Sequence, residues 1–275
     1  MKRSPSPREK EKREKKEPPP RQPQWVWGLN PVMELLKHRP QKVVRLCLAR
    51  GMEGGRLRLL QEKAQAAALP MEWVERKALD MRTGNAVHQG VLAEVKAISF
   101  LSEEALLELA LPAREDNVVV LLDGVEDPQN FGAIARSALA LGVSALAIGK
   151  NRSAGMTPAA IKASSGALLH LPVAQVTNLS RLLERLKKEG YWSLAATPVA
   201  KAALWELNAQ GPWVVVIGAE GKGIGANMLK HCDFHAHIPM QGPVSSLNAS
   251  VSAGIILYEL FRFRRQVVQT PKSST

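Results

Sequence analysis

The feature that most constrains the fold is a regular alternation of apolar, strand-like runs with helical segments from Asp116 onward. The strand-like runs are NVVVLLD, SALAIG, LPVAQV, YWSLAA, WVVVIG and FHAHIPM. The first of them is apolar almost throughout, which is typical of a strand covered on both faces. Helical patterns of period 3.6 lie between most of these runs. The alternation predicts an α/β domain with a mostly parallel sheet and helices on both faces.

A shorter α/β pattern precedes this domain. Two runs, KVVRLCLA and VLAEVKAI, have the composition of strands, and RLRLLQEKAQAAA between them has the pattern of a helix. The acidic stretch SEEALLELA follows and is interpreted as part of a linker. The predicted boundaries are a disordered basic tail at 1–24, a small α/β domain at 25–99, a linker at 100–115, the large α/β domain at 116–268 and a flexible C-terminus at 269–275.

The charge of the chain favours a polyanionic partner. The formal net charge is +12, and the first 24 residues, with nine Lys/Arg and four Glu, account for five of these charges. The same tail holds six prolines and no aromatic residue, so it buries too little surface to fold. Because the remainder of the chain is also basic, nucleic acid is the expected partner. A basic but merely solvated surface remains the alternative.

The cysteine content favours a reducing compartment. Only Cys47 and Cys232 are present, far apart in sequence, which excludes a disulfide scaffold. No apolar run approaches the length of a membrane span. We therefore expect a cytoplasmic protein.

Three loops of unusual composition follow predicted strands. In open α/β sheets, ligands bind at loops outside the carboxyl ends of the strands. The loops are DGVEDPQNFGAIAR at 123–136, GAEGKGIG at 218–225 and IPMQGPVSSLNASVSAG at 238–254. The third is rich in Ser, Asn and Gly, yet it lies between two segments that look buried. These loops are the expected site of chemistry.

The first loop carries Asn130 and Arg136, six residues apart. Were both helical, 3.6 residues per turn would place them on different faces. We therefore predict Asn130 at the N-cap or in the turn, with Arg136 in the second turn of the following helix. A guanidinium suits a ribose phosphate because it donates in a fixed plane. An ion pair from Arg136 to Asp123 or Glu126 is the structural alternative.

The second loop does not match the known glycine-rich motifs that bind phosphate. The spacing of Gly221, Gly223 and Gly225 departs from the dinucleotide fingerprint, and Lys222 is not followed by Ser or Thr as in a P-loop. Glu220 would also repel a phosphate. Glycines at these positions would let a ligand such as an adenine or a ribose approach bare backbone. The alternative interpretation is that the glycines only form a tight turn.

Histidines do not form a metal-binding pattern in the sequence. The segment HCDFHAH offers three imidazoles, but no second ligand pair stands at a finger-like spacing. His88 and His170 have no partner visible in sequence and are interpreted as structural. We therefore expect no metal site.

Taken together, NFGAIAR, the GAEGKG turn and IPMQGPVSSLNASVSAG resemble, in order and spacing, the three motifs of the SpoU/TrmH group of SPOUT RNA 2'-O-ribose methyltransferases. The resemblance spans at least residues 116–265. WGLNPVMELL and VHQGVLAEV are similar to the ribosomal-protein-like substrate domain of family members that methylate a guanosine in the peptidyl-transferase region of 23S rRNA. The tail at 1–24 is a departure from them.

This resemblance implies a trefoil-knotted α/β fold, S-adenosylmethionine as cofactor, large-subunit rRNA or an assembling subunit as partner, and a homodimer. In such a dimer Arg136 of one subunit serves the cofactor site of the other. Ser245, Ser246 and Asn248 would form hydrogen bonds that satisfy buried backbone and contact the ligands. The implied cofactor contacts are Gly218, Ala219, Glu220, Gly221, Ile238, Met240, Ser246 and Leu247. The implied catalytic residues are Asn130, Arg136, Glu220, Ser246 and Asn248.

Two other functions remain open at this point. A tRNA ribose methyltransferase would use the same motifs, and a non-catalytic RNA-binding protein would use the same scaffold.

The terminal helix carries a single apolar stripe at Ala249, Ala253, Ile256, Leu260 and Phe263, which predicts core packing. The resemblance places this helix in the dimer interface as well.

Overall fold

The computed structural model describes residues 24–96 and 98–269. The predicted tail at 1–24 and the predicted flexible C-terminus at 269–275 lie outside these residues, apart from Gln24 and Gln269, which belong to regular elements. The chain forms a four-stranded and a seven-stranded sheet. In the part of the chain that is described, no helix is both long and apolar enough to cross a membrane.

The smaller sheet has the strand order β1-β4-β2-β3, in which only β2 and β3 are parallel. Its unit consists of β1 (Gln24–Trp27), α1 (Leu29–His38), β2 (Val43–Ala49), α2 (Gly55–Ala66), β3 (Met71–Val74), α3 (Arg76–Thr83) and β4 (Val91–Val95). The sequence pattern indicates β2, β4 and α2, whereas β3 is short and largely exposed and has no apolar alternation that could reveal it.

The larger sheet is parallel throughout, with the order β7-β6-β5-β10-β8-β11-β9. Its unit consists of α4 (Glu103–Ala110), β5 (Val118–Asp123), α5 (Pro128–Ala140), β6 (Ala145–Gly149), α6 (Pro158–Ala163), β7 (Val173–Val176), α7 (Leu179–Lys188), β8 (Trp192–Ala196), β9 (Ala202–Ala203), β10 (Trp213–Gly218), α8 (Ala226–His231), β11 (Phe234–His237) and α9 (Ala249–Gln269). The predicted α/β class is confirmed; the knot that the resemblance implies stays a prediction.

Strand β5 explains why this sheet is covered on both faces. Val118, Val120 and Leu122 belong to one core cluster, together with side chains of α5, α6 and α9. Val119 and Leu121 point the other way into a second cluster, with side chains of α4 and α7. Because side chains alternate along a strand, a continuous apolar run can supply both layers.

Helix α4 lies within the segment 100–115 that the sequence suggests is a linker. The helix buries Leu106, Leu107 and Ala110 in the second core cluster. Just before the helix, Leu101 forms a parallel bridge with Ala174 of the edge strand β7. The connection between the two units therefore contributes to the core of the larger one.

The two units also contact each other directly. The side-chain amide of Gln24 donates to the carbonyl of Met156 at 2.8 Å, and its oxygen accepts from the backbone N–H of Ile98 at 3.0 Å. Lys162 of α6 donates to the carbonyl of Val87. These polar contacts place β1 of the small sheet against α6 of the large unit.

Gly132 lets helices α5 and α6 pack closely, which gives a stability prediction. A Cβ atom at Gly132 would stand 2.6 Å from the carbonyl oxygen of Ala160 and 2.6 Å from the Cβ of Ala163. We expect Gly132→Ala to lower the free energy of unfolding by about 1–3 kcal/mol, the usual cost of overpacking. Urea denaturation measures the change.

Gly55→Ala is the matched control for that prediction, because Gly55 also lies in a helix and nothing stands within 4 Å of its would-be Cβ. It should leave stability equal or slightly higher, since alanine favours a helix more than glycine does. Equal stability of the two variants would contradict the packing argument.

Candidate active site

The three loops noted in the sequence come together at the carboxyl-terminal ends of the parallel strands. The ends of β5 and β10 are adjacent, with Asp123 opposite Gly218 in the strand register. The Asp123 carboxylate accepts the backbone N–H of Gly225 at 2.8 Å, so the first loop is tied to the second. The order of the sheet reverses at β5 and β10, which is where open α/β sheets bind their ligands.

Three polar side chains, one from each loop, form a hydrogen-bonded cluster. The Asn130 amide donates to Glu220 Oε2 at 3.1 Å, and the Asn248 amide donates to the same oxygen at 3.2 Å. Asn248 also donates to Asn130 Oδ1 at 2.9 Å. The cluster therefore holds a carboxylate that is positioned by two amides.

Asn130 is not the helix cap, so the first of the two positions predicted for it, the N-cap, is wrong. Asp127 caps α5, because its carboxylate accepts the N–H groups of Gln129 and Asn130 at 3.1 Å each. Pro128 follows at the first helical position, as is usual. Asn130 lies in the first turn, where Asp127 accepts its backbone N–H. The side chain of Asn130 is not used in capping and donates to Glu220.

Asn248 is held in place at the start of α9. Its Oδ1 accepts the N–H of Ser250 at 2.9 Å, the Ser250 hydroxyl at 2.6 Å and the N–H of Val251 at 3.4 Å. This is the hydrogen-bond pattern of an N-capping asparagine. Capping fixes the orientation of the amide, so its two N–H donors point at Asn130 and Glu220.

A cavity of about 390 Å³ lies beside this cluster. Every residue for which the sequence resemblance implied a cofactor contact lines it: Gly218, Ala219, Glu220, Gly221, Ile238, Met240, Ser246 and Leu247. The sequence analysis missed Thr197, Pro198 and Val199, which line the same cavity. Their position just after β8, at the carboxyl end of a parallel strand, is the signal that could have indicated them.

Backbone forms much of this cavity because the second loop is a very tight turn. Ala219 and Gly223 exchange two backbone hydrogen bonds, at 3.1 and 2.9 Å. Gly221 and Gly223 adopt left-handed conformations with φ of 81° and 65°, which glycine adopts without strain. The expectation of bare backbone beside a ligand is consistent with this geometry, and an acidic side chain, Glu220, projects from the turn.

The third loop is more exposed than its sequence suggests. Residues 240–246 are exposed, and Ser245 and Ser246 form no hydrogen bond within the described residues. The expectation that these serines satisfy buried backbone is therefore wrong for the single chain. The loop runs along the mouth of the cavity rather than through the core, so its serine hydroxyls face solvent and the cavity.

Arg136 lies apart from the cluster in the single chain. It is exposed in the third turn of α5, one turn later than predicted, and six residues, therefore about 240° of helical rotation, from Asn130. Among the described residues it forms no ion pair with Asp123 or Glu126, so the structural alternative considered for it is wrong. Its guanidinium is free to contact something outside the chain.

A second, wider cleft of about 920 Å³ adjoins the cofactor-sized cavity, and Glu220 lines both. Asn130 faces this cleft, which extends over the ends of β6 and β7. The sequence analysis missed the polar residues at its far end, which are Lys150, Asn151, Arg152, Thr177, Asn178 and Ser180. The cleft offers hydrogen-bond donors and cations to an extended polar ligand.

The histidines near the third loop do not converge on one point. His231 pairs with Glu184 at 2.8 Å, while His235 lies 2.9 Å from the carbonyl of Leu229. These groups have separate partners, so the HCDFHAH segment forms no metal centre.

Asp233 anchors the strand that leads into the third loop. Its carboxylate accepts the N–H and hydroxyl of Ser193 at 3.1 and 2.6 Å and lies 2.8 Å from Lys187 Nζ. Burial raises the pKa of Asp233, but the hydrogen bonds from Lys187 and Ser193 outweigh burial, so the pKa lies below its usual range. The folded state therefore favours the carboxylate.

We expect Asp233→Ala to lower the free energy of unfolding by about 1–3 kcal/mol at neutral pH, because the N–H and hydroxyl of Ser193 lose their acceptor and Lys187 loses its ion pair. The ionic part of this contribution is present above the pKa of an unfolded aspartate, about 3.9, and is lost as pH falls through the lower folded pKa. Urea titrations at neutral and strongly acidic pH measure this contribution to the free energy of unfolding.

Asp116→Ala is the control, because it removes an exposed carboxylate and should have little effect on stability. An equal loss of stability in both variants would contradict the role given to Asp233.

Comparison with known proteins agrees with this geometry. The family model described as SpoU rRNA Methylase matches residues 117–258, and a model described as RNA 2'-O ribose methyltransferase substrate binding matches residues 25–101. The chain is 41% identical over 243 residues to the 23S rRNA (guanosine-2'-O-)-methyltransferase RlmB of Pseudomonas aeruginosa, covering 88% of this chain and 98% of that relative. It is 39% identical over 240 residues to the RlmB of Shewanella oneidensis, covering 87% and 97%.

Solved structures show the same architecture. The SpoU methyltransferase AviRb from Streptomyces viridochromogenes is similar with a TM-score of 0.73 and 26% identity, covering 89% of this chain and 91% of that one. The same protein in complex with AdoMet has a TM-score of 0.73 at 24% identity, with coverage of 88% and 90%. Because the SpoU rRNA Methylase model matches more than half of the chain and the relatives are similar over nearly their full length, the chain belongs to the SpoU rRNA methylase family.

Proposed function

We propose that this protein transfers the methyl group of S-adenosylmethionine to the 2'-hydroxyl of a guanosine in 23S rRNA, in the peptidyl-transferase region that the resemblance implies. The observation that carries the proposal is the Asn130–Glu220–Asn248 cluster, which lies where a cofactor-sized cavity opens into a wide polar cleft. The names of the RlmB relatives support the choice of substrate.

The cavity suits the adenosyl part of S-adenosylmethionine. Backbone groups of the Gly218–Gly223 turn can read an adenine edge, while Ile238 and Leu247 supply apolar walls. Glu220 offers a carboxylate to a cationic ligand. When bound, the cofactor supplies an electrophilic methyl group on a sulfonium centre, and AviRb has been solved with AdoMet.

The chain's own contribution is to position the acceptor ribose. Glu220 is fixed by two amides, so its free oxygen can accept a hydrogen bond from a ribose hydroxyl at the boundary of the two cavities. Holding the two reactants in line is the main catalytic resource of such a site and can lower a barrier by about 7–11 kcal/mol in favourable cases. Ser246 adds a hydroxyl at the same mouth.

Arg136 acts, in our proposal, on the substrate phosphate and not as the base. A guanidinium is a planar, permanent cation, so the role we assign to Arg136 is to hold a phosphate and polarise the hydroxyl. Since Arg136 lies outside the cluster of its own chain, a second subunit is needed to bring it to a site.

A homodimer supplies that second subunit. Four residues of the predicted apolar stripe of α9 are buried and Phe263 is partly buried, yet the opposite side of the helix exposes Val251, Ile255 and Tyr258. Helix α5, which packs against α9, exposes Leu139. Exposed apolar residues grouped on two packed helices indicate an interaction surface. Arg136 is exposed one turn before Leu139 on α5, and in our proposal it reaches the partner's cluster.

Labelled S-adenosylmethionine tests the proposal when it is incubated with the purified protein and, in separate reactions, with unmodified 23S rRNA and total tRNA. We expect label in one guanosine of 23S rRNA. Label in tRNA alone would keep the chemistry and contradict the substrate, and a protein that binds rRNA but neither binds the cofactor nor transfers label would be the non-catalytic RNA-binding alternative. Glu220→Gln serves as the control for background transfer.

A further inference from the structure

A group of three side chains outside both cavities has the composition of a metal site. Glu34 and His38 lie four residues apart on α1, which places them on one face of that helix. Glu34 Oε2 is 3.4 Å from His38 Nε2 and 3.9 Å from Nε2 of His170, which belongs to the larger unit. The three potential ligand atoms all lie within 4.8 Å of one another. None of the three residues lines the cavities of the candidate active site.

His170 has an unused nitrogen at this point. Its Nε2 is buried and has no hydrogen-bond partner. Burial lowers the pKa of His170, and the nearby His38 and Arg39 lower it further, against the opposing effect of Glu34. A buried polar atom without a partner is costly, so native proteins usually provide one.

The geometry matches zinc. A tetrahedral Zn²⁺ site has ligand bonds of about 2.0–2.2 Å, which places neighbouring ligand atoms roughly 3.3 Å apart. The two separations from Glu34, 3.4 and 3.9 Å, are close to this value, and all three ligand atoms lie within 4.8 Å of one another, so side-chain rotations that move these atoms by about 1 Å would close the site. Two imidazoles and one carboxylate, with water in the fourth position, form a ligand set that zinc accepts, whereas Mg²⁺ and Ca²⁺ require oxygen ligands.

We propose that Glu34, His38 and His170 bind one zinc ion that joins helix α1 of the small unit to the large unit. Both units contribute ligands, so the ion would restrict their relative movement. The rings of His38 and His170 already lie with their centroids 4.5 Å apart and their planes nearly perpendicular. Lys37 Nζ lies 3.0 Å from Glu34 Oε1, the carboxylate oxygen that faces away from His38 and His170 in these ion pairs. This assignment replaces the sequence-based interpretation of His170 as merely structural and the expectation that the chain has no metal site.

Calorimetric titration of ZnCl₂ into the full-length, EDTA-treated protein tests the proposal. At about pH 7.5, where histidine is neutral, we expect one equivalent of zinc to bind. His38→Ala should weaken this binding by about tenfold or more, because the carboxylate and His170 alone cannot complete the site. His38 is about half exposed, so this variant should fold normally.

His231→Ala is the matched control, because it removes a histidine that is paired with a single glutamate, Glu184. It should bind zinc like the wild type. Cobalt substitution gives an independent signature: a tetrahedral Co²⁺ absorption band in the wild type and the control, and its loss in His38→Ala. Absence of saturable zinc binding, or equal binding in His38→Ala and the wild type, would overturn the proposal.

Discussion

Arg136→Ala should reduce methyl transfer by about 10²–10³-fold while leaving cofactor affinity within a few-fold of the wild type. The loss is that expected when one donor to a reacting group is removed. Cofactor affinity is retained because Arg136 is exposed on α5 and does not line the cofactor-sized cavity. Single-turnover transfer and calorimetry measure the two quantities. Arg136→Lys, which keeps the charge but not the planar fork, should recover only part of the activity.

The proposed dimer makes a sharper form of this prediction possible. If Arg136 serves the partner's site, mixing inactive Arg136→Ala subunits with inactive Glu220→Gln subunits should restore activity. In the heterodimer, one site combines the intact Glu220 of one chain with the intact Arg136 of the other. Mixed subunits that stay inactive, together with a monomer in sedimentation, would contradict the shared site and place Arg136 elsewhere.

Gly218→Ala should remove most of the cofactor affinity. A Cβ atom at Gly218 would stand 2.2 Å from the carbonyl carbon of Gly223 and 2.4 Å from the nitrogen of Ile224, both backbone atoms that cannot move independently of the turn. The turn must open, which breaks the paired hydrogen bonds between Ala219 and Gly223. We expect cofactor binding to weaken by about 10–100-fold, corresponding to roughly 1–3 kcal/mol of overpacking.

Gly242→Ala is the control for this effect. Gly242 lies in the third loop, close in sequence to the cavity-lining Met240, but its would-be Cβ has no atom within 4 Å and its φ is not left-handed. Calorimetry of both variants with S-adenosylmethionine should separate them clearly. Comparable affinity of Gly218→Ala and the wild type would show that the tight turn does not shape the cofactor site.

Much of the fold follows from the sequence because each buried strand carries its own signal. The run at 118–122 supplies both core layers, so its composition alone indicates a doubly covered strand. The short strands β3 and β9 carry no such signal, since four and two residues are too few to establish a period. Helix α4 was visible as a helix, but its packing against the sheet depends on contacts with residues distant in sequence.

The candidate site was only partly predictable. The motifs identify Asn130, Glu220 and Asn248 separately, but the hydrogen bonds between them join residues 28 to 118 positions apart, which only the fold brings together. The sequence allows Asn130 as the N-cap or a turn residue and does not single out Asp127, because aspartate and asparagine both cap helices well. The group of Glu34, His38 and His170 has no sequence signature, because His170 lies more than 130 residues from the other two and only the fold brings it to them.

The most direct test of the account is the chemical identity of the modified nucleoside. The rRNA product of the purified enzyme would be digested to nucleosides and analysed by mass spectrometry against standards. A carboxylate that two amides position to bind a ribose hydroxyl predicts a methyl group on the sugar fragment, and the RlmB relatives predict that the nucleoside is guanosine, so the expected product is 2'-O-methylguanosine. A methyl group on the base fragment would contradict the account, since the Asn130–Glu220–Asn248 cluster would then act on a different atom.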